Sequence, residues 1–262
     1  MFRTIEVSDP RFEHEGLRHI TVKTPNLRGR GDITVWVPEG VHSLESLPLV
    51  ILLHGVYGSH WAWALTGGAH RTARRLIESK SIQPMLLAMP SDGLWGDGSG
   101  YLPHDGYSFD RWILDDVPAA VTEATKLTPS CLFIAGLSMG GYGALRLGAT
   151  YPERYRAISG MSSITDRPQL ALFVEEPLEA YQQEDPADGS VLASMLRNKD
   201  RLPPIRFDCG RDDLLIEPNR ALHQALRQVN IPHVYEEFEG GHEWSYWEAH
   251  LTDTLIFFDK YS

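Results

Sequence analysis

Four short runs that are apolar on both faces constrain the fold of this chain more than any other feature: residues 48–55, 84–90, 131–135 and, more weakly, 205–209. Each has the length of a strand, and an uninterrupted apolar run suits a strand covered on both sides, as in the middle of a parallel sheet. Segments with apolar residues at helical spacing lie between and after them, near 69–79, 110–124, 138–150, 217–229 and 244–258. Strands alternating with helices predict an α/β fold, a mostly parallel central sheet with helices on both faces. Upstream, Ile20-Thr21-Val22 and Ile33-Thr34-Val35-Trp36-Val37 read as strands, with Gly29-Arg30-Gly31-Asp32 as the hairpin turn between them. The stretch 162–202 breaks the rhythm with Glu175-Glu176-Pro177, Asp185-Pro186 and Asp188-Gly189. It is expected as a lid or wall over the functional face rather than a second domain, which leaves residues 1–262 as a single domain.

The chain's 262 residues suffice for one substantial core or two small ones. Hydrophobic residues at 42% and charged residues at 23% describe an ordinary globular chain. No apolar run approaches bilayer length, so no membrane partner is expected. A formal net charge of −11 argues against nucleic acid, whose phosphates would be repelled. The start, Met1-Phe2-Arg3-Thr4-Ile5-Glu6, lacks the basic opening and apolar core of a secretory signal, and a cytoplasmic location is expected. Cys131 and Cys209 lie in apolar, strand-like runs and read as buried thiols rather than a disulfide. Neither has a C-x-x-C partner for zinc, and no cofactor is expected. Homo-oligomerisation is left open.

Gly136-Leu137-Ser138-Met139-Gly140 fits G-x-S-x-G and sits between the strand-like run 131–135 and the helix-like run that follows. A serine on so tight a strand-to-helix turn projects its hydroxyl from the end of the sheet, and flanking glycines tolerate the close backbone contacts. The helix aims its free N–H groups and positive dipole end at the place where negative charge would develop. A serine hydroxyl needs a base to take its proton, and the base needs a third group to orient it. The turn resembles the nucleophile turn of the α/β-hydrolases, and that resemblance implies the chain order Ser, acid, His.

The acid candidate is Asp213, in Cys209-Gly210-Arg211-Asp212-Asp213-Leu214-Leu215, just beyond a strand-like run; Asp212 is its adjacent rival. The base candidate is His242, in Phe238-Glu239-Gly240-Gly241-His242-Glu243-Trp244, where two glycines let a loop swing the ring over the serine. A metal site at His242-Glu243 is rejected, because H-E-x-x-H needs a histidine at 246 and Tyr246 stands there. Two backbone N–H groups should receive the developing oxyanion: that of Met139, after the serine, and that of Val56, in His54-Gly55-Val56-Tyr57-Gly58. Each such donor is worth on the order of 3 kcal/mol in the transition state. His54 is read as holding that loop by hydrogen bonds.

With these elements in place the chain resembles the esterase D-like branch of the α/β-hydrolases, which holds S-formylglutathione hydrolases, tributyrin-type short-chain esterases, feruloyl and acetyl-xylan esterases, and mycolyltransferases. The resemblance rests on Leu52-Leu53-His54-Gly55, the run from Gly136 through Gly143-Ala144-Leu145, Tyr151-Pro152-Glu153-Arg154-Tyr155, the Gly210 loop, and Gly240-Gly241-His242-Glu243-Trp244 with Tyr246-Trp247. It implies a hydrolase without a large cap domain, a Ser138–Asp213–His242 triad and an acyl-enzyme on Ser138. The loop 95–106 departs from the pattern, being longer and richer in glycine, and is read as a substrate-side loop. Tyr57, Trp61, Trp95, Tyr101 and Trp244 are expected to line the substrate pocket, with Trp63 nearby and Trp112 and Trp247 in the core. The leading expectation is a carboxylesterase of short-chain esters acting on a small-molecule substrate. The alternatives are an S-formylglutathione thioesterase, which would need a basic cluster for the glutathione carboxylates, a feruloyl or acetyl-xylan esterase, and a non-catalytic binding protein, which loss of a triad member would mark.

Overall fold

The computed structural model describes residues 2–40 and 46–262. In chain order the strands are β1 (Thr4–Val7), β2 (Leu17–Thr24), β3 (Gly29–Trp36), β4 (Leu49–Leu53), β5 (Leu86–Pro90), β6 (Pro103–His104), β7 (Tyr107–Ser108), β8 (Leu132–Leu137), β9 (Ala157–Met161), β10 (Ile205–Gly210) and β11 (Val234–Phe238). The α-helices are α1 (Ala62–Leu65), α2 (Ala69–Glu78), α3 (Phe109–Arg111), α4 (Val117–Thr125), α5 (Met139–Thr150), α6 (Val191–Arg197), α7 (Ile216–Gln228) and α8 (Trp244–Asp259). Nine strands form one sheet in the order β1-β2-β3-β5-β4-β8-β9-β10-β11, and β6 pairs with β7 in a small separate ribbon. The first three strands join antiparallel, β3 meets β5 antiparallel, and the six from β5 to β11 run parallel.

The apolar runs become central strands because alternate residues bury into opposite layers. In β4, Leu49, Ile51 and Leu53 enter a layer with α4, α5 and α7, whereas Val50 and Leu52 enter a layer with α2 and α8. All five are buried. Between α3 and α4 the helix passes through one π turn, Trp112–Asp116. Pro118 has no N–H for the Leu114 carbonyl, and Arg154 donates to that carbonyl instead. No described helix is long and apolar enough to cross a membrane.

The structure departs from two expectations. Residues 29–32 are not the hairpin turn; they open β3, paired from Thr24↔Gly29 onward, and the reversal lies at 25–28, closed by the Arg28 N–H donating to the Pro25 carbonyl at 3.0 Å. Gly31 pairs with Val22 inside the strand, and it is glycine because the Trp112 ring packs where a side chain would be. Cys131 is only half-buried, while Cys209 is buried, and both are free thiols.

Candidate active site

The parallel strands deliver their loops to one end of the sheet, the carboxyl end, where open α/β sheets collect functional groups. Ser138 follows β8 and precedes α5, with φ +54° and ψ −119°. That left-handed conformation is strained for a residue with a Cβ and persists only because its surroundings fix it. A Cβ on Gly140 would sit 2.2 Å from the Leu53 carbonyl oxygen, so only glycine lets α5 begin this close to β4. The Ser138 N–H is held by the Met161 carbonyl at 2.9 Å.

Three candidate residues from three loops converge. His242 Nε2 lies 3.0 Å from Ser138 Oγ, and its Nδ1 lies 2.9 and 3.1 Å from the two Asp213 oxygens. Full burial alone would raise the Asp213 carboxyl, but the His242 Nδ1–H and the Leu215 N–H bonded to it hold it below the ordinary carboxylate value. An ionised Asp213 keeps the proton on Nδ1, which leaves Nε2 to accept from the serine hydroxyl. Asp212, the rival, is exposed; its backbone N–H donates to the Gly240 carbonyl at 3.0 Å and laces the acid loop to the histidine loop.

The Val56 and Met139 N–H groups donate to no backbone carbonyl among the described residues, whereas the next one, Tyr57 N–H, is taken by the Asp97 carbonyl at 2.8 Å. His54 braces this loop from below. Its Nδ1–H donates to the Gly55 carbonyl at 2.6 Å and its Nε2 accepts from the Asp92 N–H at 3.0 Å, which defines a neutral tautomer.

Ser138 and His242 open into a cavity of about 500 Å³. Tyr57, Trp61 and Trp244 line it, together with Phe173 and Trp247. Two expected wall residues lie elsewhere. Tyr101 is fully buried, its hydroxyl donating to the His54 carbonyl at 3.0 Å, because a Cβ-less Gly143 leaves room for its ring beneath the loop. Trp95 packs edge-on against His104 and Tyr181, away from the cavity lining. Trp247, expected in the core, meets the His242 ring edge-on at 5.0 Å as well as lining the cavity. Its place three residues after Trp244, on one helical face, is a signal that could have found it. Phe173 comes from the 162–202 stretch, whose short 3₁₀ turns give no periodicity to read.

The Esterase family model matches the chain over residues 25–258. An acetyl esterase of Caldicellulosiruptor saccharolyticus is 29% identical over 240 residues, covering 83% of this chain and 85% of that protein. The S-formylglutathione hydrolase of Paracoccus denitrificans is 26% identical over 180 residues, 61% of each chain. Among solved structures, a ferulic acid esterase superposes with a TM-score of 0.81 at 23% identity, covering 99% of this chain and 100% of its own.

Proposed function

This chain belongs to the Esterase family and is a carboxylic ester hydrolase, and from that premise we propose that it is a serine esterase of compact acyl groups, working through an acyl-enzyme on Ser138. The observation that carries the reading is the Ser138–His242–Asp213 relay, with contacts of 3.0 and 2.9 Å. In it, Ser138 Oγ bonds to the ester carbonyl carbon while its proton passes to His242 Nε2. Asp213 holds the ring and steadies the imidazolium. The carbonyl oxygen, now anionic, accepts from Val56 and Met139 N–H. Collapse expels the alcohol, which takes the proton from His242. Water then repeats the sequence on the acyl-enzyme and frees the acid.

The cavity supports a neutral acyl group. Its lining holds Leu137, Phe173 and three tryptophans and no lysine or arginine. Asp97, Glu175 and Glu176 lie close enough to Tyr57 to act on its hydroxyl. Carboxylates behind the Tyr57 wall, with no cation in the lining, disfavour a glutathione thioester, whose carboxylates need cationic partners. A second reading, esters of aromatic acids, is favoured by the planar walls of Trp61, Trp244 and Trp247, against which a ring could stack.

Hydrolysis of p-nitrophenyl esters from acetate upward, with methyl ferulate alongside, tests both readings. Expected are activity highest at short chains and a loss of about 10⁶-fold in kcat for Ser138→Ala. Turnover indifferent to Ser138 overturns the mechanism; ferulate preferred to acetate selects the aromatic reading.

A further inference from the structure

The Phe173 ring stacks on the His242 imidazole, centroids 5.3 Å apart and planes at 27°. Its position is fixed by three segments that meet over the triad. The Tyr57 hydroxyl donates to the Phe173 carbonyl. Tyr57 N–H is held by the Asp97 carbonyl at 2.8 Å. Asp97 Oδ2 accepts from the Glu175 N–H at 2.8 Å, and Glu176 Oε1 accepts from the Asp97 N–H at 3.1 Å. The Val56 loop, the 95–98 loop and the 173–176 segment thus form one strap, with the aromatic ring as its contact with His242.

We propose that Phe173 is a positioning residue for His242: its ring fixes the imidazole plane and, through its negative π-face, steadies the imidazolium that forms as Ser138 gives up its proton. The inference rests on the serine-esterase reading above. A cation over an aromatic face gains most when water is kept away, and His242 is 16% exposed, with the Trp247 ring meeting it edge-on. The remaining titratable groups around the ring are Asp213, bonded to Nδ1, and Glu243 in the cavity lining, with Asp97, Glu175 and Glu176 on the strap. All five are kept when Phe173 alone is changed. A carboxylate would favour the imidazolium whichever residue stood at 173, so a change on substituting the ring reports the ring.

The test compares Phe173→Leu, which keeps an apolar side chain of similar reach, with Phe173→Tyr, which keeps the π-face. Phe173→Leu is expected to lower kcat by about three- to thirtyfold, the range of a cation–π contact. Because the cation loses support, the acid limb of the kcat/KM profile should move to lower pH, by about half a unit to one and a half units. Phe173→Tyr should restore both. A change in KM alone, with the acid limb in place, overturns the proposal and leaves Phe173 as cavity wall. The His242 ring signal, assigned by its loss in His242→Gln, is titrated by NMR in wild type and Phe173→Leu without any substrate. A shifted titration there supports the inference even if the enzyme's ester has been misjudged, and an unshifted one sinks it even if esterase activity is strong. Should Phe173→Leu fail to fold, Tyr57→Phe releases the strap at an exposed residue. A lowered kcat with an acid-shifted limb in that variant supports the proposal, and wild-type behaviour overturns it.

Discussion

Asp208 and Asp213 are two buried carboxylates five positions apart, and their surroundings give them opposite characters. Asp208 lies on β10, fully buried under the sheet, where Arg206 and the Tyr246 hydroxyl bond its two oxygens, the latter at 2.7 Å. Burial pushes its carboxyl up, and Arg206 and Tyr246 offset this only in part. Asp213 lies past the end of the same strand, where bonds from His242 and Leu215 outweigh burial and hold it down. The first ties β10 to α8 through Tyr246 and, through Arg206 and Glu236, to β11; the second bonds the histidine that faces the reacting serine. A buried carboxylate thus becomes structural or functional according to what bonds it.

The largest expected effect separates the two by activity. Asp213→Asn keeps the shape but lets the amide favour the wrong imidazole tautomer, and kcat should fall about 10⁴-fold. Asp208→Asn leaves Arg206 buried with one fewer anion, and unfolding free energy should fall by about 3–5 kcal/mol while kcat per folded molecule stays within a few fold. Urea titration and active-site titration of both variants check this. If Asp208→Asn lost activity without stability, the division of roles would be wrong.

β4, β5 and β8 were legible because both-face burial leaves an apolar run with no polar gap, and the turn at Ser138 was legible because glycine at 140 is forced by the approach of β4. Asp213 and His242 were legible from chain order and glycine-rich loops. Asp208 drew no notice, since a carboxylate inside an apolar strand declares neither its guanidinium partner two residues away nor the tyrosine 38 positions on. Tyr101 and Trp95 turn away from the cavity, which a loop's sequence does not declare because it does not say which way its rings turn. Phe173 gave no signal at all, because 3₁₀ turns carry too few residues to show a period.

A smaller effect sharpens the contrast through pH. A carboxyl held below its unfolded value stabilises the protein above that value, and the contribution fades as pH falls toward the folded one. Asp213 behaves this way, as do Glu15 and Glu237, both held at about 2 by bonded partners, His70 and Arg71 for Glu15 and Arg220 and Tyr235 for Glu237. Asp208, raised by burial, binds its proton more tightly when folded, so its contribution runs in the other direction. From pH 5 down to pH 3, Asp213→Asn should therefore lose less stability than wild type and Asp208→Asn more. Chemical denaturation at several pH values measures both slopes, and slopes that change in the same direction would break the comparison.

The smallest effect belongs to Asp212, the neighbour that sequence alone left as a rival. Its carboxylate is exposed, and its structural part is the backbone N–H that reaches the Gly240 carbonyl. Asparagine keeps that N–H and nearly the same volume, so Asp212→Asn should leave kcat within about twofold and stability within about 0.5 kcal/mol, the usual range for a surface change. The measurement is informative because Asp212→Asn and Asp213→Asn are the same chemical change one residue apart. A difference of thousands of fold between them assigns the acid to the buried position, since burial and the bonds from His242 Nδ1 and the Leu215 N–H distinguish the two. Comparable losses in both would mean that the charge of the loop as a whole, and not one oriented carboxylate, supports the histidine.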